Sequence, residues 1–302
     1  MLVSDLAQVL FSVPSAAAEA VANLLAERLG TGVEERDAET LASTPPGVTE
    51  LLVWMPTADV DRHVSDIERL LSALRQLGTA VDPWSWRSEP ADPQSWLDAY
   101  KRFFTVNRLA RRLVVKPSWE LYAAQPGDLL IELDPGQAFG TGLHPSTRLA
   151  ASAIERLARQ GLAPPSVVDV GCGTGILAIA AARLWPHCHI LAIDSDETAV
   201  AACRENVERN GLSERIVIEH KGAAQLQGRF ALVIANLQLD LLTMLQPRLR
   251  ALADEFGRLV LSGLLAEQAQ EISRLYCRDL AFEPEYSEEE AGWRALLLRI
   301  KS

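Results

Sequence analysis

Apolar residues along this chain follow first one spacing and then another, and the change divides it into parts. Leu6 to Phe11 is a short apolar run that ends ahead of Pro14. Ser15 to Leu29 sets Ala18, Val21, Leu25 and Leu29 at helical spacing and stops at Gly30. Val33 to Glu39 is polar and predicts an exposed strand, and Thr49 to Met55 is a β-type run closed by Pro56. Val60 to Leu77 carries Val60, Val64, Ile67, Leu70, Leu71 and Leu74 as the stripe of an amphipathic helix. Ala80 to Arg87 completes the unit as a strand, with Trp84 and Trp86 on one face. This βαββαβ order predicts a small ferredoxin-like α+β domain over residues 1–88, a fold that names no function.

Pro90 to Pro93 marks a break, followed by a helical segment from Gln94 to Phe104. Then comes a basic run with Lys101, Arg102, Arg108, Arg111, Arg112 and Lys116 and no acidic residue between its ends. Such a run is a solvated face or a contact for an acidic patch. Residues 89–117 are therefore expected to form a linker helix and basic connection. From Pro165 onwards strands and helices alternate: strand Ser166–Val170, helix Gly175–Leu184, strand His189–Ile193, helix Thr198–Asn210. Strands at Arg215–Glu219, Phe230–Ala235 and Arg258–Leu261 follow, with a helix from Ala266. Alternation of this kind implies a mostly parallel, Rossmann-like sheet covered by helices on both faces. Two β-like runs, Leu280–Tyr286 and Trp293–Ile300, predict a C-terminal antiparallel hairpin turning at Glu288–Glu290. The second domain is placed at 118–302.

Composition adds limits. At 302 residues the chain suits two domains, and 48% hydrophobic with 23% charged residues is ordinary for a soluble protein. No apolar run approaches the ~20 residues of a membrane span, and the N-terminus lacks a secretory pattern. A cytoplasmic, monomeric protein is expected. The four cysteines show no metal-ligand spacing, so no metal site is predicted. A net charge of −11 disfavours a general nucleic-acid substrate and suits a basic partner.

The strongest chemical signal is Val167-Val-Asp-Val-Gly-Cys-Gly-Thr-Gly175, where a buried strand runs through a glycine loop into a helix. Open α/β sheets bind ligands at such carboxyl ends. Dinucleotide sites use GxGxxG to seat a pyrophosphate. Here Gly171, Gly173 and Gly175 make GxGxG, preceded by Asp169, which suits a cationic, phosphate-free ligand such as S-adenosylmethionine. The next strand ends at Asp194, a carboxylate placed to accept from both ribose hydroxyls. Asp196 reads as a helix cap. Asn236 ends the fourth strand and either orients an acceptor amine or caps the following helix. Upstream, Phe139, Thr141, His144 and Thr147 cluster in a glycine-rich string as a candidate site wall. His144 is a structural hydrogen-bonder before it is a base, and Cys172 is read as a small packing residue.

Taken together these residues resemble a known family. Asp134-Pro-Gly-x-Ala-Phe-Gly-Thr-Gly-x-His-Pro-x-Thr147 is similar to the signature of the ribosomal protein L-eleven methyltransferases. So are the loop at Gly171, Ile193-Asp-Ser-Asp, Glu205-Asn-Val-Glu-Arg-Asn-Gly211, Ala235-Asn236, Lys116-Pro-Ser-Trp119 and Gly292-Trp-Arg. The resemblance covers roughly residues 92–302. It implies a class I methyltransferase fold joined by a linker helix to a small substrate-recruiting domain. It also implies methyl transfer from S-adenosylmethionine to lysine or N-terminal amines of a basic large-subunit ribosomal protein. Carried over by position, Thr147, Gly171, Asp194 and Asn236 would contact the cofactor, with Phe139, Gly140, Thr141 and His144 lining the site. Asp169 and Gly173 join the cofactor set from the loop reading, and Asn236 is the candidate catalytic residue. The chain departs from the family after Asn236, where Leu237-Gln-Leu replaces the usual Ile-Leu-Ala. Another protein's lysine as acceptor, or an NAD-dependent oxidoreductase, are the competing readings. The second lacks the glycine spacing and a catalytic pair.

Overall fold

The computed structural model describes residues 6–29, 33–36, 44–76, 80–90, 104–134, 142–278 and 282–301. The chain divides into two compact units, Met1–Phe104 and Thr105–Ser302.

In the first unit, β1 (Leu6–Pro14), β2 (Glu34–Arg36), β3 (Val48–Pro56) and β4 (Ser85–Pro90) form an antiparallel sheet in the order β2-β3-β1-β4. Helices α1 (Ala18–Leu29) and α2 (Val60–Gln76) complete the ferredoxin-like order read from the sequence. The apolar stripe behaves as its spacing requires: Val60, Val64, Ile67 and Leu71 pack with Val21, Leu25 and Phe11 in one core. The closing strand begins later than expected. Trp86 lies in it, whereas Trp84 precedes it and packs against the core. The expected strand from Val33 is described only over Glu34–Arg36, and the expected helix over 94–104 lies outside the described residues save Phe104.

The second unit holds a sheet of seven strands, β8 (Ser166–Val170), β9 (His189–Asp194), β10 (Ile216–His220), β11 (Phe230–Asn236), β12 (Ala253–Leu265), β13 (Phe282–Glu290) and β14 (Trp293–Ile300). Their order is β10-β9-β8-β11-β12-β14-β13. The first five are parallel and β14 runs antiparallel between β12 and β13. Central strands β8 and β11 are buried along most of their length, as residues covered on both faces must be. Edge strand β10 exposes Val217 and carries Glu219 and His220. Helices α3 (Pro145–Arg159), α4 (Ile176–Leu184), α5 (Glu197–Arg209), α6 (Leu239–Leu252) and α7 (Ala269–Tyr276) pack on this frame. One core on it gathers Val168, Val233, Leu242, Leu259 and Tyr276, whose hydroxyl donates to the carbonyl of Leu242 at 2.8 Å.

The expected turn at Glu288–Glu290 is instead the end of β13. Ala291 and Gly292 make the turn, with φ of 48° and 78°, the two positive values that match a tight hairpin to the twist of its strands. The three glutamates are tolerated in a strand because each has a partner: Ser152 for Glu288, Arg294 for Glu289 and Arg148 for Glu290.

A three-stranded sheet that the sequence did not announce joins β5 (Asn107–Arg108), β6 (Leu113–Lys116) and β7 (Leu129–Glu132). Its last strand leads to Asp134, the final described residue before 142.

Candidate functional site

The carboxyl ends of β8, β9 and β11 converge, and the candidate residues sit there. The glycine loop leaves β8 with φ of 73° at Gly171, 53° at Gly173 and 81° at Gly175, values that residues with a Cβ rarely adopt. Space is short as well: a Cβ at Gly175 would lie 2.6 Å from Cys203 Sγ. The loop is pinned to the neighbouring strand, since the amides of Gly171 and Cys172 both donate to the carbonyl of Ile193, at 2.9 and 3.0 Å. Asp194, one residue on, accepts from the Gly173 amide at 3.0 Å through Oδ2 and from the Asp196 amide at 3.0 Å through Oδ1. Each of its oxygens keeps a second lone pair for a ligand hydroxyl. Asp196 caps α5 by accepting from Thr198 N at 2.8 Å, as expected.

Asp169 is fully buried beneath the loop. Its Oδ2 accepts from the Ala178 amide in the first turn of α4 at 3.0 Å, while Oδ1 has no hydrogen-bond partner among the described residues. Burial, with the Asp194 charge as a lesser contributor, raises its pKa to about 7 against the pull of the Ala178 amide. An unpartnered buried carboxyl oxygen is costly. One at the lip of a positive-φ glycine loop fits a cationic ligand that supplies the missing donor and favours the ionised form, as a sulfonium carrying an amino group does. The residues present therefore fit S-adenosylmethionine.

On the acceptor side, Asn236 is the last residue of β11. Its Nδ2 donates to Oγ1 of Thr147, which is fully buried in the first turn of α3, at 3.3 Å. Asn236 does not cap the next helix: that position belongs to Gln238, which makes no side-chain cap. His144 is the cap of α3. Its Nδ1 accepts from the Ser146 amide at 3.2 Å and lies 2.7 Å from Ser146 Oγ. The helix starts at Pro145. Burial, and secondarily the Arg148 guanidinium, lower the pKa of His144 and so favour the neutral ring; the Ser146 amide donating to Nδ1 makes that nitrogen the acceptor. Its ring meets Trp293 edge-on with centroids 4.5 Å apart. Cys172 is buried, as its packing role requires. Phe139, Gly140 and Thr141 lie outside the described residues.

Several residues that build the site carried no chemical signal. Asn206 and Asn210 project from α5 onto the strand that feeds the 135–141 segment. Asn206 Oδ1 accepts from the Asp134 amide at 3.2 Å and its Nδ2 donates to Thr174 O in the glycine loop at 3.1 Å. Asn210 takes both backbone groups of Glu132, at 3.0 Å from N and 2.6 Å to O. Arg209 pairs with Asp134, which also accepts from the amide and hydroxyl of Ser118, each at 2.7 Å. This is the physical content of Glu205-Asn-Val-Glu-Arg-Asn-Gly211: it stitches the strand before the upstream signature to the cofactor loop. Ser262, fully buried, donates to the Ser146 carbonyl at 2.8 Å. Gly263, at φ 85°, leaves no room for a Cβ, which would fall 2.8 Å from the carbonyl carbon of Leu237.

The described residues include no group of side chains that could hold a metal ion and no helix long and apolar enough to cross a membrane. The family model described as ribosomal protein L11 methyltransferase (PrmA) matches residues 5–301. The chain is 35% identical to the protein of that name from Symbiobacterium thermophilum, over 93% of this chain and 95% of the relative. It is 37% identical to the one from Geobacter sulfurreducens, over 87% of each. A solved ribosomal protein L11 methylase from Lactobacillus delbrueckii subsp. bulgaricus superposes with a TM-score of 0.60 at 32% identity, covering 66% of this chain and all of that one. Glycine loop, buried acid, strand-end asparagine and near full-length likeness point one way: this chain belongs to the ribosomal protein L11 methyltransferase family, S-adenosylmethionine-dependent protein methyltransferases.

Proposed function

We propose that this enzyme methylates lysine or N-terminal amines of the large-subunit ribosomal protein for which its relatives are named, acting as a cytoplasmic monomer. The observation that carries the acceptor side is the Asn236–Thr147 contact at the end of β11, beside the glycine loop. S-adenosylmethionine supplies an electrophilic methyl group when bound. Gly171, Gly173 and Asp169 would hold its amino-acid end and Asp194 its ribose, with Thr147 and His144 on the wall. The amide of Asn236 keeps a carbonyl oxygen that orients a neutral amine in line with the transferring carbon without protonating it.

Among the described residues the site offers no general base. His144 spends Nδ1 on its helix cap, and Asp169 lies beneath the loop with one oxygen committed to Ala178. The acceptor therefore arrives neutral, its pKa lowered by desolvation beside a cation, and gives up its proton to water after transfer. The ferredoxin-like unit recruits the substrate, and the second unit, Thr105–Ser302, carries the methyl transfer. A dinucleotide reading finds no support in the GxGxG spacing.

The test uses S-adenosylmethionine with a labelled methyl group, purified ribosomal protein and a cell extract. Label is expected in one band at the size of the ribosomal protein, on lysine or the N-terminus by mass spectrometry. Label in another protein, or in RNA, would overturn the substrate assignment.

A further inference from the structure

The basic run between Lys101 and Lys116 takes no part in the proposed methyl transfer, yet the fold gathers part of it into a feature of its own. The β5–β6 turn, the Gln125–Asp128 turn and the last turn of α3 enclose a surface cleft of about 520 Å³. Arg108, Arg111, Arg112 and Arg159 line it, against one carboxylate, Asp128. That carboxylate is committed: it accepts from the Tyr122 hydroxyl at 2.7 Å, the Gln125 amide at 2.9 Å and Arg108 at 3.0 Å. The same contacts hold Arg108 in place, and Arg112 is anchored by Nε on the Gly127 carbonyl at 3.0 Å. Arg111 and Arg159 are exposed, and their side chains make no hydrogen bond or ion pair with any described residue. Two guanidiniums are thus pre-positioned and two stand unpaired among the described residues, in a chain whose net charge is −11.

We propose that this cleft binds the phosphodiester backbone of RNA, as a docking contact and not as a methyl acceptor. Guanidinium forks match the oxygens of a phosphate in paired hydrogen bonds, and the four cations here include no lysine. The lining holds no Leu, Ile, Val, Met or aromatic side chain. A protein partner would need an apolar anchor at the centre of its contact, whereas nucleic-acid interfaces are polar and positive throughout. The acidity of the rest of the chain does not forbid this, because charges beyond a Debye length of ~8 Å at physiological salt are largely screened. The site is independent of the catalytic centre: none of its lining residues is among those assigned to cofactor or acceptor.

The experiment measures fluorescence anisotropy of a labelled single-stranded RNA with the full-length enzyme across a salt series. It compares wild type, the double variant Arg111→Glu/Arg159→Glu, the milder Arg111→Gln/Arg159→Gln, and a control with the same charge change at two exposed arginines that do not line the cleft, Arg229→Glu/Arg278→Glu. Expected are a loss of at least about tenfold in affinity for the Glu variant, a smaller loss for the Gln variant, and a salt slope reduced by ~1.4, for two lost phosphate contacts. The control should stay within about twofold of wild type. Methyl transfer to the isolated ribosomal protein, run in parallel, should be retained in all variants and reports that they are folded. Four results would overturn the proposal: no RNA binding by wild type, equal losses in the control, displacement of RNA by inorganic phosphate at matched ionic strength, or equal affinity for an acidic peptide. The third would assign the cleft to a small anion and the fourth to a protein.

Discussion

Replacing Asp169 by asparagine separates what this carboxyl does for the fold from what it does for the cofactor. The pKa of Asp169 rises from 3.8 to about 7 on folding, so the folded protein binds its proton more tightly than the unfolded chain does. Stability linked to this group is therefore fully present below pH ~4 and falls by ~1.4 kcal/mol per pH unit until pH ~7, where the folded protein also ionises. The full difference is about 4 kcal/mol, with roughly 3 kcal/mol of it between pH 5 and pH 9. In the Asp169→Asn variant the side chain cannot ionise, yet its carbonyl oxygen can still accept from the Ala178 amide. Its NH2 then occupies the unpartnered position of Oδ1, a cost of about 1–3 kcal/mol that does not change with pH. The pH-dependent part is thus isolated in the difference between variant and wild type. Urea unfolding of both proteins without cofactor, at intervals from pH 5 to pH 9, should show the variant gaining ~3 kcal/mol relative to wild type and levelling above pH ~8. S-adenosylmethionine should bind the variant more weakly, since the charge facing its cation is gone. Titration calorimetry of wild type at pH 7, in buffers of different ionisation heat, should show release of about half a proton on binding. A stability difference that is flat across this pH range would refute the argument.

Asn236→Ala should lower kcat for the ribosomal protein by about 10²-fold or more while leaving the Kd for S-adenosylmethionine within a few-fold, measured by steady-state kinetics and calorimetry. Gly263→Ala forces a Cβ against the Leu237 backbone at a positive φ; chemical denaturation should show a loss of about 2–4 kcal/mol, and a neutral result would mean that the β12 bulge, where its register against β14 shifts between Leu261 and Leu264, moves freely. His144→Ala removes the α3 cap and should cost ~1 kcal/mol, with His144→Asn recovering most of it, whereas a catalytic histidine would show unrescued loss of kcat. Asn210→Leu should destabilise by about 2–4 kcal/mol by stranding both backbone groups of Glu132, read from the unfolding midpoint.

The cofactor half of the site was legible because its signals are local. Glycines with positive φ, the acid before them and the acid at the next strand end lie within one βαβ unit, where spacing alone fixes geometry. The clamp by Asn206 and Asn210 was visible only as part of a signature, since its partners Glu132 and Asp134 are over seventy residues away in sequence. The β5–β6–β7 sheet escaped for a related reason. Its strands span only two to four residues, too short for a period to declare itself. Glu288–Glu290 misled because charge runs mark turns when they face water, and the Arg148, Ser152 and Arg294 contacts that hold them in a strand are mostly distant in the chain.

Leu237 occupies a narrow position. A Cβ on Gly171 would meet its side chain, and one on Gly263 would meet its backbone. The cofactor loop, the strand end carrying Asn236 and the β12 bulge are therefore not three independent parts. They share one slot, but its two walls answer differently: a residue larger than glycine at 171 needs a smaller side chain at 237, whereas no side chain at 237 relieves the backbone contact at 263. Variation at 171 and 237 is expected to move in step while 263 stays glycine, and a library that randomises 171 and 237 together should recover variants that one randomising them singly would miss.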